Sequence, residues 1–196
     1  MNPDYSSQLE RLIEVLSQTA PVPSWMISII GVVIGSVLTV LLGVWKERHE
    51  AKRRRAKLER AICGEVLLNH SSLLGTLGTL DTDYDFNRIG PTQAPFGGMF
   101  TFDALENAKA HGDVLYDIRN FSALRTLYKM YQNMLKLHGG GPQTRVLAHD
   151  SVNTFEKLFI QGDINQNLFL QLCETCAPNL RPRLDALARG DLKPGQ

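Results

Sequence analysis

Cysteine is scarce in this sequence, and what there is does not form a framework. The three thiols, Cys63, Cys173 and Cys176, are odd in number and unevenly spaced. That excludes a small secreted domain held by disulfides and fits reduced thiols in a cytosol. The motifs GxxxxGK[ST], HExxH and GxGxxG are all missing, so the commonest phosphate, zinc-protease and dinucleotide sites have no foothold. Strict two-residue alternation of apolar and polar side chains is absent over any useful length, and there is no internal repeat. Charge of one sign is also lacking overall, since the formal net charge is +1. A broad basic surface that displaces counterions from phosphates is excluded, and no nucleic-acid partner is expected.

The most informative absence is local. Residues 25–45, WMISIIGVVIGSVLTVLLGVW, contain no charged side chain. As a helix the run is roughly 31 Å long, the thickness of a bilayer's hydrocarbon core. Trp25 and Trp45 stand at its ends, where an indole ring can lie in the apolar boundary while its N–H reaches water or headgroups. A buried core helix of this length, apolar on every face, would need a larger protein around it. A signal peptide should carry its basic residues ahead of a shorter apolar stretch. Here they follow it, which is a stop-transfer order, so the run is read as a transmembrane helix.

The charge distribution then sets the orientation. Residues 1–45 hold Arg11 against Asp4, Glu10 and Glu14, a net of −2. Residues 46–60 hold Lys46, Arg48, Lys52, Arg53, Arg54, Arg55, Lys57 and Arg60 against Glu47, Glu50 and Glu59, a net of +5. The remainder nets −2. Basic flanks stay in the cytoplasm, so the N-terminus is expected outside and the C-terminal domain inside, at a cell inner membrane. Apart from topology, the collar can grip anionic headgroups at about 1 kcal/mol per cation near the surface. Gly31, Gly35, Thr39 and Gly43 recur every fourth residue along one face of the span. Small residues in register let two helix backbones approach, so self-association or pairing with another membrane helix is expected there.

The organisation follows: a short amphipathic tail at 1–24, the span at 25–45, a polybasic juxtamembrane helix at 46–60 and a helical cytoplasmic domain at 61–196. In the tail, Leu9, Leu12, Ile13 and Leu16 share one helical face, and Pro21 and Pro23 close it. No helix breaker occurs in KERHEAKRRRAKLER, so the membrane helix is expected to run on through it. An apolar stripe of Leu58, Ile62, Val66, Leu73, Leu77 and Leu80 carries the pattern to about residue 80. Glu65 and Asn69, four apart beside the stripe, read as a hydrogen-bonded pair on the helix surface. Residues 81–101, rich in Gly, Pro, Asp and Asn, read as a long loop. Helices are then expected near 102–111, 114–138, 144–160, 164–177 and 179–189. Phe121, Leu124, Leu127, Tyr128, Tyr131, Met134 and Leu135 form the core stripe of the second, with the tyrosine hydroxyls reaching the surface. His138-Gly139-Gly140-Gly141-Pro142 is expected to terminate it, and Asp163 and Asn179 are expected N-caps. The fold class is all-α: one transmembrane helix continuing into a helical bundle.

Taken together, the basic-flanked span, the helix with Glu65 and Asn69, the segment FDALENAKAHGD and the LYKMYQ helix resemble a loose set of small, mostly uncharacterised bacterial single-pass membrane proteins. Some of these sit among anti-phage defence genes. The resemblance covers about residues 25–137 as an arrangement and transfers no catalytic residue. It implies a bacterial accessory or effector protein.

Four patterns that could carry chemistry lack its context. Cys173-Glu174-Thr175-Cys176 falls late in a predicted helix with no strand before it, unlike a redox CxxC. As half a zinc site it would need His138 and His149, and the competing reading is two thiols facing the core beside Leu168 and Leu172. His138-Gly139-Gly140-Gly141 matches an oxyanion loop in letters, but no GxSxG elbow follows. Asp81, Asp83 and Asp85 alternate like a calcium loop, yet Phe86 replaces its glycine and Thr92 its glutamate. No enzyme, cofactor or metal is expected. The expected function is a membrane-anchored interaction or accessory module with a cytoplasmic protein partner. The alternative is a membrane-perturbing effector acting through oligomerised spans.

Overall fold

A computed structural model describes residues 10, 11, 14, 23–80, 83–110, 118 and 120–195, and every regular element among them is helical. The chain forms two compact units, Met1–Ala51 and Lys52–Gln196. The amphipathic face expected from Leu9, Leu12, Ile13 and Leu16 lies outside the described residues.

Helix α1 runs from Ser24 to Thr79, 56 residues without a break. The absence of proline after Pro23 and the run of straight-chain Lys, Arg, Glu and Leu permit this length. Its first part is long and apolar enough to cross a membrane, and none of that apolar window is buried. Beyond Ala51 the same helix belongs to the second unit. There Ile62, Cys63, Val66, Leu67 and Leu73 are all buried.

The second unit is a helical bundle. After α1 come α2 (Asp83–Asn87), α3 (Asp103–Lys109), α4 (Phe121–Leu135), α5 (Pro142–Gln161), α6 (Gln166–Cys176), a 3₁₀ turn (Pro178–Leu180) and α7 (Arg181–Arg189). One core joins them. Leu124, Leu127, Tyr128, Tyr131 and Met134 from α4 meet Val152, Phe155 and Phe159 from α5, Phe169 and Cys173 from α6, and Leu184 and Leu187 from α7. Phe155 is the hub among the rings, edge-on to Phe169 at 5.5 Å and stacked on Phe159 at 6.5 Å.

Several local expectations are corrected. The 81–101 segment holds the short helix α2, and Phe86, Phe96 and Phe100 on it are buried. Each buried ring contributes about 1.5–3 kcal/mol by leaving water, which pins a segment whose polar composition reads as loop. Helix α4 stops at Leu135, before the glycines, with Lys136 closing it in an ordinary right-handed conformation. Residues 114–117, expected to begin that helix, lie outside the described residues. The N-cap of α6 is Asn165 rather than Asp163; its side chain accepts from Leu168 N at 3.2 Å. Asn179 sits within the 3₁₀ turn, where its amide bonds the Ser71 hydroxyl at 3.1 Å instead of capping α7.

Candidate functional site

In the first unit the apolar segment is fully displayed. Trp25 and Trp45 are 62% and 66% exposed, and Ile29, Ile30, Val32, Val33, Val37, Leu38, Val40, Leu41 and Leu42 are all exposed between them. Ser36 and Thr39 turn their hydroxyls back onto the carbonyls of Val32 and Gly35, each at 2.8 Å. These bonds satisfy two polar groups inside the helix, which lowers the cost of placing the segment in hydrocarbon. A Cβ added at Gly31, Gly35 or Gly43 would meet nothing within 4 Å, so with Thr39 the expected packing face is open along its length. Just past the segment, His49 stacks on Trp45 at 5.5 Å and Lys46 lies 4.0 Å from Glu50. Lys46, Arg48, Lys52, Arg53, Arg54, Lys57 and Arg60 are exposed, and Arg55 is half-buried.

In the second unit the notable polar groups are inside. Glu65 and Asn69 are buried and do not bond each other, contrary to the expected surface pair. The Glu65 carboxylate accepts the backbone N–H of Ala104 at 3.1 Å and of Leu105 at 3.3 Å. It therefore caps α3, whose own N-cap position is Phe102 and supplies no side-chain bond. Four N–H groups at a helix start need acceptors, and a carboxylate there also meets the positive end of the helix dipole. Tyr128 donates its hydroxyl to the same carboxylate in a short bond. Burial and that bond to Glu65 hold the phenol protonated, far above its ordinary range. Asn69 completes the node, accepting from Thr101 N at 3.0 Å and donating to Thr101 O at 2.9 Å. The node ties α1, the end of the 81–101 segment, α3 and α4 at one point. The tyrosine hydroxyls do not reach the surface, as Tyr128 and Tyr131 are both buried.

Sequence reasoning passed over His70. It stands in the α1 stripe, four after Val66 and three before Leu73, and that register was its signal. The ring is fully buried and stacks on Phe155 at 3.9 Å. Neither ring nitrogen has a hydrogen-bond partner among the described residues. Burial, reinforced by the Arg183 charge, lowers its pKa to about 3, so the neutral imidazole packs as a flat apolar disc with no group to exchange a proton with. Nearby chemistry is structural as well. Buried Glu156 on α5 pairs with Arg183 of α7 at 2.5 Å and accepts Gly195 N at 2.8 Å, fastening the C-terminal segment.

Two of the three thiols, Cys63 and Cys173, are buried. Burial pushes Cys63 up to about 12, helped by Glu59, and burial pushes Cys173 up to about 11. A protonated thiol is neither nucleophile nor good metal ligand. Cys176 is half-buried at the α1–α6 approach, where a Cβ on Gly64 would lie 3.8 Å from its sulfur. Among the described residues no cluster of three or more His, Cys, Asp and Glu could hold a metal ion. The triglycine segment has a packing role: Gly139 N donates to Gln93 O at 2.7 Å and Gly140 N to Ile89 O at 3.4 Å, joining the start of α5 to the segment around α2.

Comparison with known protein families, with curated proteins and with solved structures returned no match. Fold and site together define an all-α chain with one exposed, membrane-length apolar helix near its N-terminus and a helical bundle beyond it.

Proposed function

We propose that the chain is a non-enzymatic, membrane-anchored module that presents its helical domain at the cytoplasmic face of a bacterial inner membrane, where it engages a protein partner. One observation carries the reading. The apolar half of α1 is left bare while the bundle completes a core of its own. In water that surface would far exceed the few hundred Å² of contiguous apolar patch that soluble monomers expose. A cleaved signal sequence is disfavoured by the unbroken helix from Ser24 to Thr79 and by basic residues that follow the apolar run.

Orientation follows from the eight cations after Trp45 against the single Arg11 before Trp25. A fluorescent reporter that matures only in the cytoplasm, fused after Gln196, is expected to be bright, and alkaline phosphatase fused there to be inactive. The opposite pair of results would reverse the topology.

A second reading is favoured by the open face of Gly31, Gly35, Thr39 and Gly43: an effector, such as one serving anti-phage defence, whose associated spans disrupt the membrane on a signal. With Ser28, Ser36 and Thr39 as the polar side chains of the span, a pore would be lined by hydroxyls and glycines. Replacing residues 25–45 by a polyleucine span with the same Trp ends and basic collar separates the two. Under the anchored-module reading the swapped protein keeps its cellular phenotype, and overproduced wild type leaves the membrane potential intact. Depolarisation by wild type that the swap abolishes would establish the effector instead.

A further inference from the structure

Helix α4 turns one face away from the core, and two adjoining hollows of about 290 and 560 Å³ lie against it. Phe121, Arg125 and Lys129 line both, and they fall four residues apart on one side of the helix. The smaller hollow is closed from the other side by α3, which contributes Leu105 and Lys109. Its apolar lining is buried Leu105 and Tyr128 with half-buried Phe121, and its polar lining is exposed Arg125, Lys129 and Lys109 with half-buried Gln132. No carboxylate lines either hollow among the described residues. Glu106 pairs with Lys109 at 2.6 Å, so Arg125 and Lys129 are the principal charges.

The larger hollow reaches the beginning of α4. There Asn120 adopts a left-handed conformation (φ 64°) and makes no capping bond. Its amide is directed to Gly162 O at 3.4 Å. The first-turn N–H groups of α4 are thus left without a side-chain cap at that end of the larger hollow.

We infer that this groove binds a small organic phosphate, with the phosphate held by Arg125, Lys129 and Lys109 and an apolar body laid on Phe121 and Leu105. Cations from two helices lining one small hollow suit a compact dianion better than an extended acidic peptide. A guanidinium beside an ammonium holds phosphate through charge-assisted hydrogen bonds. The volume of the smaller hollow is at the lower end for small-molecule sites and too small for a helix. The inference is independent of whether the span anchors or disrupts the membrane.

The test uses the full chain in nanodiscs of neutral phosphatidylcholine, titrated calorimetrically at physiological salt with inorganic phosphate, adenosine 5′-monophosphate and hexyl phosphate. At least one organic phosphate is expected to bind about tenfold or more tightly than inorganic phosphate. The double variant R125Q/K129Q is expected to weaken that binding at least about tenfold while melting as wild type does, since both side chains are exposed. K109Q, on the opposing helix, is expected to weaken it by a smaller factor. F121L keeps the bulk and removes the ring, so loss of nucleotide binding alone would identify a stacked base, and equal retention of both ligands an aliphatic body. The inference is overturned if neither organic phosphate surpasses inorganic phosphate, or if R125Q/K129Q binds as wild type does.

Discussion

Gly140→Ala is expected to destabilise the helical domain by about 3 kcal/mol or more, a large effect for one methyl group. The added Cβ would fall inside the van der Waals envelope of the Phe86 carbonyl oxygen, 2.5 Å from its carbon and 2.9 Å from Ile89 Cβ. Two of these obstacles are backbone, so no rotamer change relieves them. The segment around α2 would have to withdraw. That would strain the Gly140–Ile89 and Gly139–Gln93 bonds and lift Phe86 from its buried seat. Gly141→Ala is the internal control. Nothing lies within 4 Å of its added Cβ, and its backbone (φ −61°, ψ 165°) is open to any residue. A cost below about 1 kcal/mol is expected there, from the N-cap preference alone. Thermal unfolding of the full chain in detergent, followed by circular dichroism, reads both. Equal midpoints for the two variants would refute the close approach.

Glu65→Ala is expected to cost about 3 kcal/mol, seen as a midpoint lowered by roughly 10 °C. It strips the acceptor from two N–H groups of α3 and from the Tyr128 hydroxyl at once. Glu65→Gln keeps the shape and an acceptor oxygen but loses the charge, so about half the effect is expected. Tyr128→Phe should cost about 1–2 kcal/mol in the wild type and clearly less once Glu65 is Ala, because the hydroxyl then keeps only the long bond to Ile62 O at 3.5 Å. Additive losses in this double-mutant cycle would mean that the two side chains act separately. Because α3 forms one side of the proposed phosphate groove, Glu65→Ala should weaken ligand binding as well, through position rather than contact.

Much of the α-helical organisation was legible because helix formation is a local matter. The 3.6-residue period of Leu58, Ile62, Val66, Leu73 and Leu77 marks a continuing helix with one buried side, and α1 reaches Thr79. Phe121 to Leu135 shows the same period and forms α4. The 81–101 segment was less legible. Its glycines and prolines announce turns correctly, but three phenylalanines among them carry no period, and only the assembled bundle shows that they are buried. Caps were legible in kind and not in place: Asn165, two residues after Asp163, has the backbone that lets its side chain return to Leu168 N.

By itself the sequence determined the charge-free apolar run, the basic collar behind it and the all-α class, since each depends on residues within one or two turns of one another. Tertiary structure alone decided where the polar groups of that pattern go. Glu65 finds Ala104 N and Leu105 N across 39 and 40 residues of chain, His70 lies on Phe155, and Gly140 is needed because the Phe86 carbonyl comes to it. No period encodes such meetings. They arise because the helices, once formed, can close their common core in only one arrangement, and buried donors and acceptors must then be satisfied across it.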